Sequence, residues 1–109
     1  MNWHWLMSYF FAGAFAANAV PHFVSGMMGR AFQTPFAKPP GKGLSSATVN
    51  VAWGFFNALV AYLLVAHVGV FQARSIWDAA VFGLGVLLIS MSSARHFGQF
   101  HGGNIPAGS

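Results

Sequence analysis

Three apolar stretches, at about 3–28, 47–71 and 77–100, occupy most of this 109-residue chain. Each is long enough to cross a bilayer, which takes about 20 residues at ~1.5 Å rise per residue. Charged residues make up only 6% of the chain, whereas soluble domains carry about 25%. We therefore predict a single membrane domain over 1–109, an all-α polytopic membrane protein with three transmembrane helices.

Proline and glycine mark the boundaries between these stretches. Pro21 interrupts the first stretch and predicts a kinked first helix, because proline lacks the backbone N–H that a helix uses. The segment 30–46 is rich in proline and glycine, which predicts a loop. The tail at 101–109 also contains glycine and proline, so we expect it to be flexible.

The basic residues are unevenly placed along the chain. The loop 30–46 holds Arg30, Lys38 and Lys42, and Arg95 lies near the end of the third stretch, whereas the opposite side holds only Arg74. Short cytoplasmic loops are enriched in Lys and Arg. We therefore predict an inner-membrane protein with its N-terminus outside and its long loop and C-terminus in the cytoplasm. The cations are better explained by topology and by anionic lipid than by nucleic acid.

Polar residues inside the stretches are the candidates for function, because they are costly within a bilayer. Asn18 and His22 share a face of the first helix, Asn50 lies in the second and His96 in the third. Since successive spans alternate in direction, all four fall in the half of the bundle nearest the long loop. We predict that they form one internal polar cluster.

Two explanations of this cluster remain open. Hydrogen bonds between transmembrane helices stabilise a bundle by about 0.6 kcal/mol each, so the cluster can be purely structural. Alternatively, His22 and His96 bind a quinone, a haem or a metal, since imidazole ligates metals and donates hydrogen bonds to quinone carbonyls. A zinc site would add His101, although the five-residue spacing from His96 suits one helical face poorly.

Catalysis has little support in the sequence. The chain has no Glu and no Cys, and Asp78 is its single acid, so acid–base chemistry would depend on histidine alone. This weighs against an enzyme without deciding the question. The first stretch is rich in alanine, and Gly83 and Gly85 are further candidates for close helix packing. The leading hypothesis is a self-assembling or accessory subunit of a membrane complex; an oligomeric small transporter is a further alternative.

One part of the chain also carries a recognisable pattern. It reads N-x-x-P-H-F at Asn18–Phe23, T-P-F-x-K-P at Thr34–Pro39 and V-N-x-x-W-G at Val49–Gly54. In this it resembles an uncharacterised family of small bacterial integral membrane proteins. The resemblance implies a bacterial inner-membrane protein and supplies no activity.

Overall fold

The computed structural model describes residues 2–103 and is predominantly helical, as predicted. Its elements are α1 (Trp3–Met27), β1 (Phe32–Gln33), β2 (Leu44–Ser45), α2 (Ala47–Ala66) and α3 (Ile76–His101). The all-α prediction omitted one feature, because β1 and β2 pair antiparallel, with Phe32 opposite Ser45. The predicted loop is thus closed at its base into a hairpin. The predicted flexible tail falls largely on 104–109, outside the described residues.

Hydroxyl and amide side chains define where the helices begin. Asn2 caps α1 by accepting from the backbone N–H of His4 at 3.0 Å, and Ser46 caps α2 by accepting from Val49 at 3.2 Å. Ser75 caps α3 in the same way. Such caps satisfy backbone donors that have no partner within the helix.

The second helix is shorter than predicted, ending at Ala66 rather than near residue 71. Gly69 follows with a φ of +64°, and the ring of Trp5 occupies the space that a β-carbon at Gly69 would need. Only glycine fits this combination of backbone conformation and close contact. The close contact between Trp5 and Gly69 therefore lies three residues after the last residue of α2.

The first helix lies at the centre of an up–down–up arrangement. Helices α1 and α2 are antiparallel. Ser8 near the start of α1 bonds Leu64 near the end of α2, and His22 near the end of α1 bonds Asn50 near the start of α2. It packs extensively against α3 as well, whereas α2 and α3 make almost no contact with each other. The core of the bundle therefore consists of two interfaces, one between α1 and α2 and the other between α1 and α3.

Glycine allows α3 to approach α1 closely. A β-carbon at Gly85 would collide with the backbone carbonyl of Phe10, so Gly85 is a close-packing position, as predicted. The same prediction was wrong for Gly83, where a β-carbon would meet nothing within 4 Å. The two glycines lie two residues apart and thus point in different directions from the helix axis.

Two of the helices, α2 and α3, are long and apolar enough to cross a membrane. The 25-residue α1 is long enough as well, but it carries Asn18 and His22 and is not among these two apolar helices. Each of these two side chains has a hydrogen-bond partner on α2, Asn57 for Asn18 and Asn50 for His22. Pro21 lies inside α1, which continues through it to Met27.

Candidate functional site

Asn50 is the hub of the hydrogen bonds at the loop end of the bundle. Its side chain is fully buried, and its Nδ2 donates to the backbone carbonyls of Phe32, Ser45 and Ser46 at 3.0–3.1 Å. Because carbonyls only accept, this orientation of the amide is fixed. Asn50 thus fastens both strands of the hairpin to the start of α2.

The orientation of Asn50 determines which nitrogen of His22 carries hydrogen. The Nδ1 of His22 lies 2.9 Å from Oδ1 of Asn50, and this oxygen can only accept. Nδ1 is therefore protonated, and in the neutral imidazole Nε2 carries the lone pair. Nε2 has no hydrogen-bond partner among residues 2–103. The side chain of His22 as a whole is only 2% exposed, and it lines a cavity at the loop end of the bundle.

A second set of hydrogen-bonded side chains lies deeper in the bundle, beginning with Asn18, one helical turn before His22 on α1. Asn57 donates from Nδ2 to the carbonyl of Trp53 at 2.8 Å and accepts from Nδ2 of Asn18 at 3.0 Å. The carbonyl of Trp53 can only accept, so it fixes the orientation of the Asn57 amide, and Asn57 in turn fixes the orientation of the Asn18 amide. Oδ1 of Asn18 therefore remains as an acceptor without a hydrogen-bond partner in the described part of the protein.

The third helix is hydrogen-bonded to the hairpin. Nε2 of His96 donates to the carbonyl of Gly41 at 2.6 Å, since that carbonyl can only accept. In the neutral imidazole, Nδ1 of His96 then carries the lone pair. One turn later, Nε2 of His101 lies 3.0 Å from Oε1 of Gln33. The hairpin thus bridges the ends of α2 and α3.

An open cavity of about 330 Å³ lies between α1, the hairpin, α2 and α3. The rings of Trp53 and Phe97 form walls on either side of His22, with centroids 6.4 and 5.9 Å from the imidazole. The indole N–H of Trp53 is fully buried and has no hydrogen-bond partner among residues 2–103. The lining residues are Asn18, His22, Gln33, Thr34, Pro35, Pro40, Gly41, Trp53, His96 and Phe97.

Three of the four residues of the predicted polar cluster line this cavity, namely Asn18, His22 and His96. Asn50 does not line it, but lies behind His22 and orients the imidazole. The hairpin residues and Trp53 were not among the predicted site residues. Trp53 follows Asn50 by three positions and so lies on the same face of α2. This spacing is the sequence signal that could have indicated Trp53 as a site residue.

Charge and ligand type at the cavity disfavour a metal ion. Residues 2–103 contain no group of three or more His, Cys, Asp or Glu side chains suited to holding one. The suggested zinc set of His22, His96 and His101 is not assembled, since His101 bonds Gln33 and stacks on Phe32 at 5.2 Å.

No protein-family model, curated protein or solved structure matches this chain. The resemblance to small bacterial membrane proteins therefore stays a prediction. Its pattern residues His22, Thr34 and Trp53 all line the cavity, and Asn50 bonds His22.

Proposed function

We propose that the chain is a three-span protein of the inner membrane. Its N-terminus lies outside, and its hairpin and C-terminus lie in the cytoplasm. The up–down–up helices support three crossings, and Lys38, Lys42 and Arg95 are all exposed and belong to the hairpin or the late part of α3. Pro21 gives α1 a kink because it withholds a backbone hydrogen bond.

We propose further that the protein binds a small molecule in the cavity at the loop end. The observation that carries this proposal is the imidazole of His22, fixed by Asn50 and left with an open nitrogen on the cavity wall. A binding group that is already oriented loses little freedom when its ligand arrives. Pockets of about 300 Å³ or more with a few fixed polar groups are typical ligand sites.

A purely structural network explains only part of this arrangement. One nitrogen of His22 and the amide of Asn50 suffice to hold α1, α2 and the hairpin together. Buried polar groups are normally paired, yet Nε2 of His22 has no hydrogen-bond partner among the described residues. A ligand that occupies the cavity gives a reason for the unpaired groups that line it.

Gentle purification followed by mass spectrometry of extracted small molecules tests this proposal. We expect one small molecule in stoichiometric amount with the wild-type protein and with His4→Ala, whose side chain is exposed and far from the cavity. His22→Phe and His96→Phe should lose it while keeping helical circular dichroism. The binding proposal is wrong if nothing co-purifies, or if folded His22→Phe retains the same molecule.

A second candidate function is self-assembly or docking on a larger membrane complex. It is favoured by the cleft of about 500 Å³ that α2 and α3 leave open beside α1, walled largely by alanines such as Ala16, Ala58 and Ala79. Small residues allow helices to pack closely in lipid. We propose a second copy of the chain as the occupant.

Native mass spectrometry in mild detergent tests assembly. Ala79→Leu fills the cleft and should shift the protein to monomer, whereas Ala80→Leu, exposed and outside the cleft, should leave the oligomer intact. A wild-type protein that is strictly monomeric at all concentrations would exclude self-assembly.

A further inference from the structure

We infer that the cavity takes an uncharged aromatic ring bearing a hydroxyl group, a quinol-type headgroup, whose O–H donates to Nε2 of His22. This inference rests on the proposed binding function and narrows it to a ligand class. Its basis is the chemistry of the groups that remain open around the cavity.

Charge excludes a cationic ligand. The cavity lining has no acidic residue, and the only acid of the chain, Asp78, lies in the first turn of α3, far along the helix from His96. Lys38, Lys42 and Arg95 are exposed around the same end of the bundle. A cation in the cavity would therefore be desolvated without a counter-charge, which is strongly unfavourable.

The open groups also show what the ligand has to offer. In their neutral forms, Nε2 of His22 and Nδ1 of His96 carry lone pairs, and Oδ1 of Asn18 is an acceptor. All three belong to side chains that line the cavity. An anion would face these lone pairs unfavourably, so an uncharged hydrogen-bond donor is the best match.

An open donor on the cavity wall fits the same ligand class. Oε1 of Gln33 faces Nε2 of His101, and Nε2 of Gln33 donates to no residue among 2–103. This amide N–H requires an acceptor, and a hydroxyl oxygen accepts as well as donates. A hydroxyl group can therefore serve both His22 and Gln33.

The walls favour a flat ring behind that hydroxyl. Trp53 and Phe97 flank His22, and Pro35 and Pro40 add further apolar surface from the hairpin. Aromatic rings pack favourably edge-to-face or offset against other rings.

The tautomer of His22 reverses the expectation that its imidazole donates to a quinone carbonyl, because its only donor is already used by Asn50. The reduced form of such a ring is therefore preferred over the oxidised form.

Equilibrium dialysis of the detergent-solubilised full chain tests the inference. The probe is a short-chain 1,4-benzoquinol under anaerobic conditions, compared with its quinone and its dimethyl ether, and protein-free micelles measure partitioning. We expect the quinol to bind about tenfold or more tightly than the other two, since both lack the O–H that His22 accepts. This preference should vanish in His22→Phe and persist in His4→Ala.

Trp53→Phe provides a control variant that does not depend on replacing a bonded group. It removes a fully buried N–H that bonds nothing among residues 2–103 and keeps an aromatic ring in the wall, so both the fold and the preference for the quinol should survive. Equal affinity for all three probes, or a preference for the quinone, would overturn the ligand class. If a different molecule co-purifies with the wild-type protein and is lost in His22→Phe, binding stands and only the ligand class is wrong. If nothing co-purifies and no probe binds, both proposals are wrong.

Discussion

The two ends of the bundle are held together by different kinds of interaction. At the loop end, directed hydrogen bonds through Asn50 and His96 position the hairpin against the helices. At the opposite end, one such bond joins Ser8 to Leu64, but Tyr9 packs edge-on against Phe71 at 5.0 Å, and its fully buried hydroxyl has no partner among residues 2–103. Hydrogen bonds fix the orientation of individual atoms, whereas ring packing fixes mainly shape. This explains why the oriented, open groups of the candidate site occur at the loop end.

Removing the hub of the loop end should have the largest effect. Asn50→Leu removes the side-chain donor to the carbonyls of Phe32, Ser45 and Ser46 and the acceptor of Nδ1 of His22, so we expect a loss of about 3 kcal/mol or more in the free energy of unfolding. Asn57→Leu removes only two hydrogen bonds and should cost less. Reversible unfolding in mixed micelles, followed by circular dichroism, measures both. Equal losses would mean that Asn50 is not a hub.

Helix packing in the middle of the bundle should be the next most sensitive feature. Gly85→Ala forces α3 away from the backbone of α1 near Phe10, and we expect a loss of about 2 kcal/mol. Gly83→Ala is the matched control in the same helix, because its added methyl meets nothing within 4 Å. It should leave stability unchanged or raise it slightly through helix propensity. Thermal unfolding of both variants decides whether the α1–α3 contact is as close as described.

The opposite end should tolerate the loss of its buried hydroxyl. Tyr9→Phe removes an O–H that bonds nothing among the described residues, so we expect no loss of stability and a gain of up to about 1 kcal/mol. The same unfolding measurement provides the test. A loss above 1 kcal/mol would show that the Tyr9 hydroxyl is bonded in the membrane, and the contrast between the two ends would then weaken.

Much of the fold was predictable because its signals are local. Long apolar runs predict helices, and Ser46 and Asn2 cap helix starts through contacts within three residues. The small sheet was not predictable, since β1 and β2 are only two residues each and Asn50, which lies outside them, bonds both strands. The early end of α2 likewise depends on Trp5, which is more than sixty residues away from Gly69 in the chain.

The candidate site was likewise predictable only in part. Helix periodicity and alternating span direction suffice to place Asn18, His22 and His96 near one level, and the structure brings these three to one cavity. The cavity itself depends on the hairpin residues Thr34 and Gly41, whose position no periodicity determines. Sequence reasoning thus found the imidazoles but not the surface that covers them.

The sequence by itself determined that this chain is built from long apolar helices and which polar residues interrupt them, because both depend on residue type and spacing. Only the tertiary structure decided which nitrogen of His22 is open. That depends on Asn50, whose amide is oriented by carbonyls from both strands of the hairpin and from the residue that caps α2. Hydrogen-bond direction is set by groups distant in sequence, and it distinguishes a site that accepts a hydrogen bond from one that donates it.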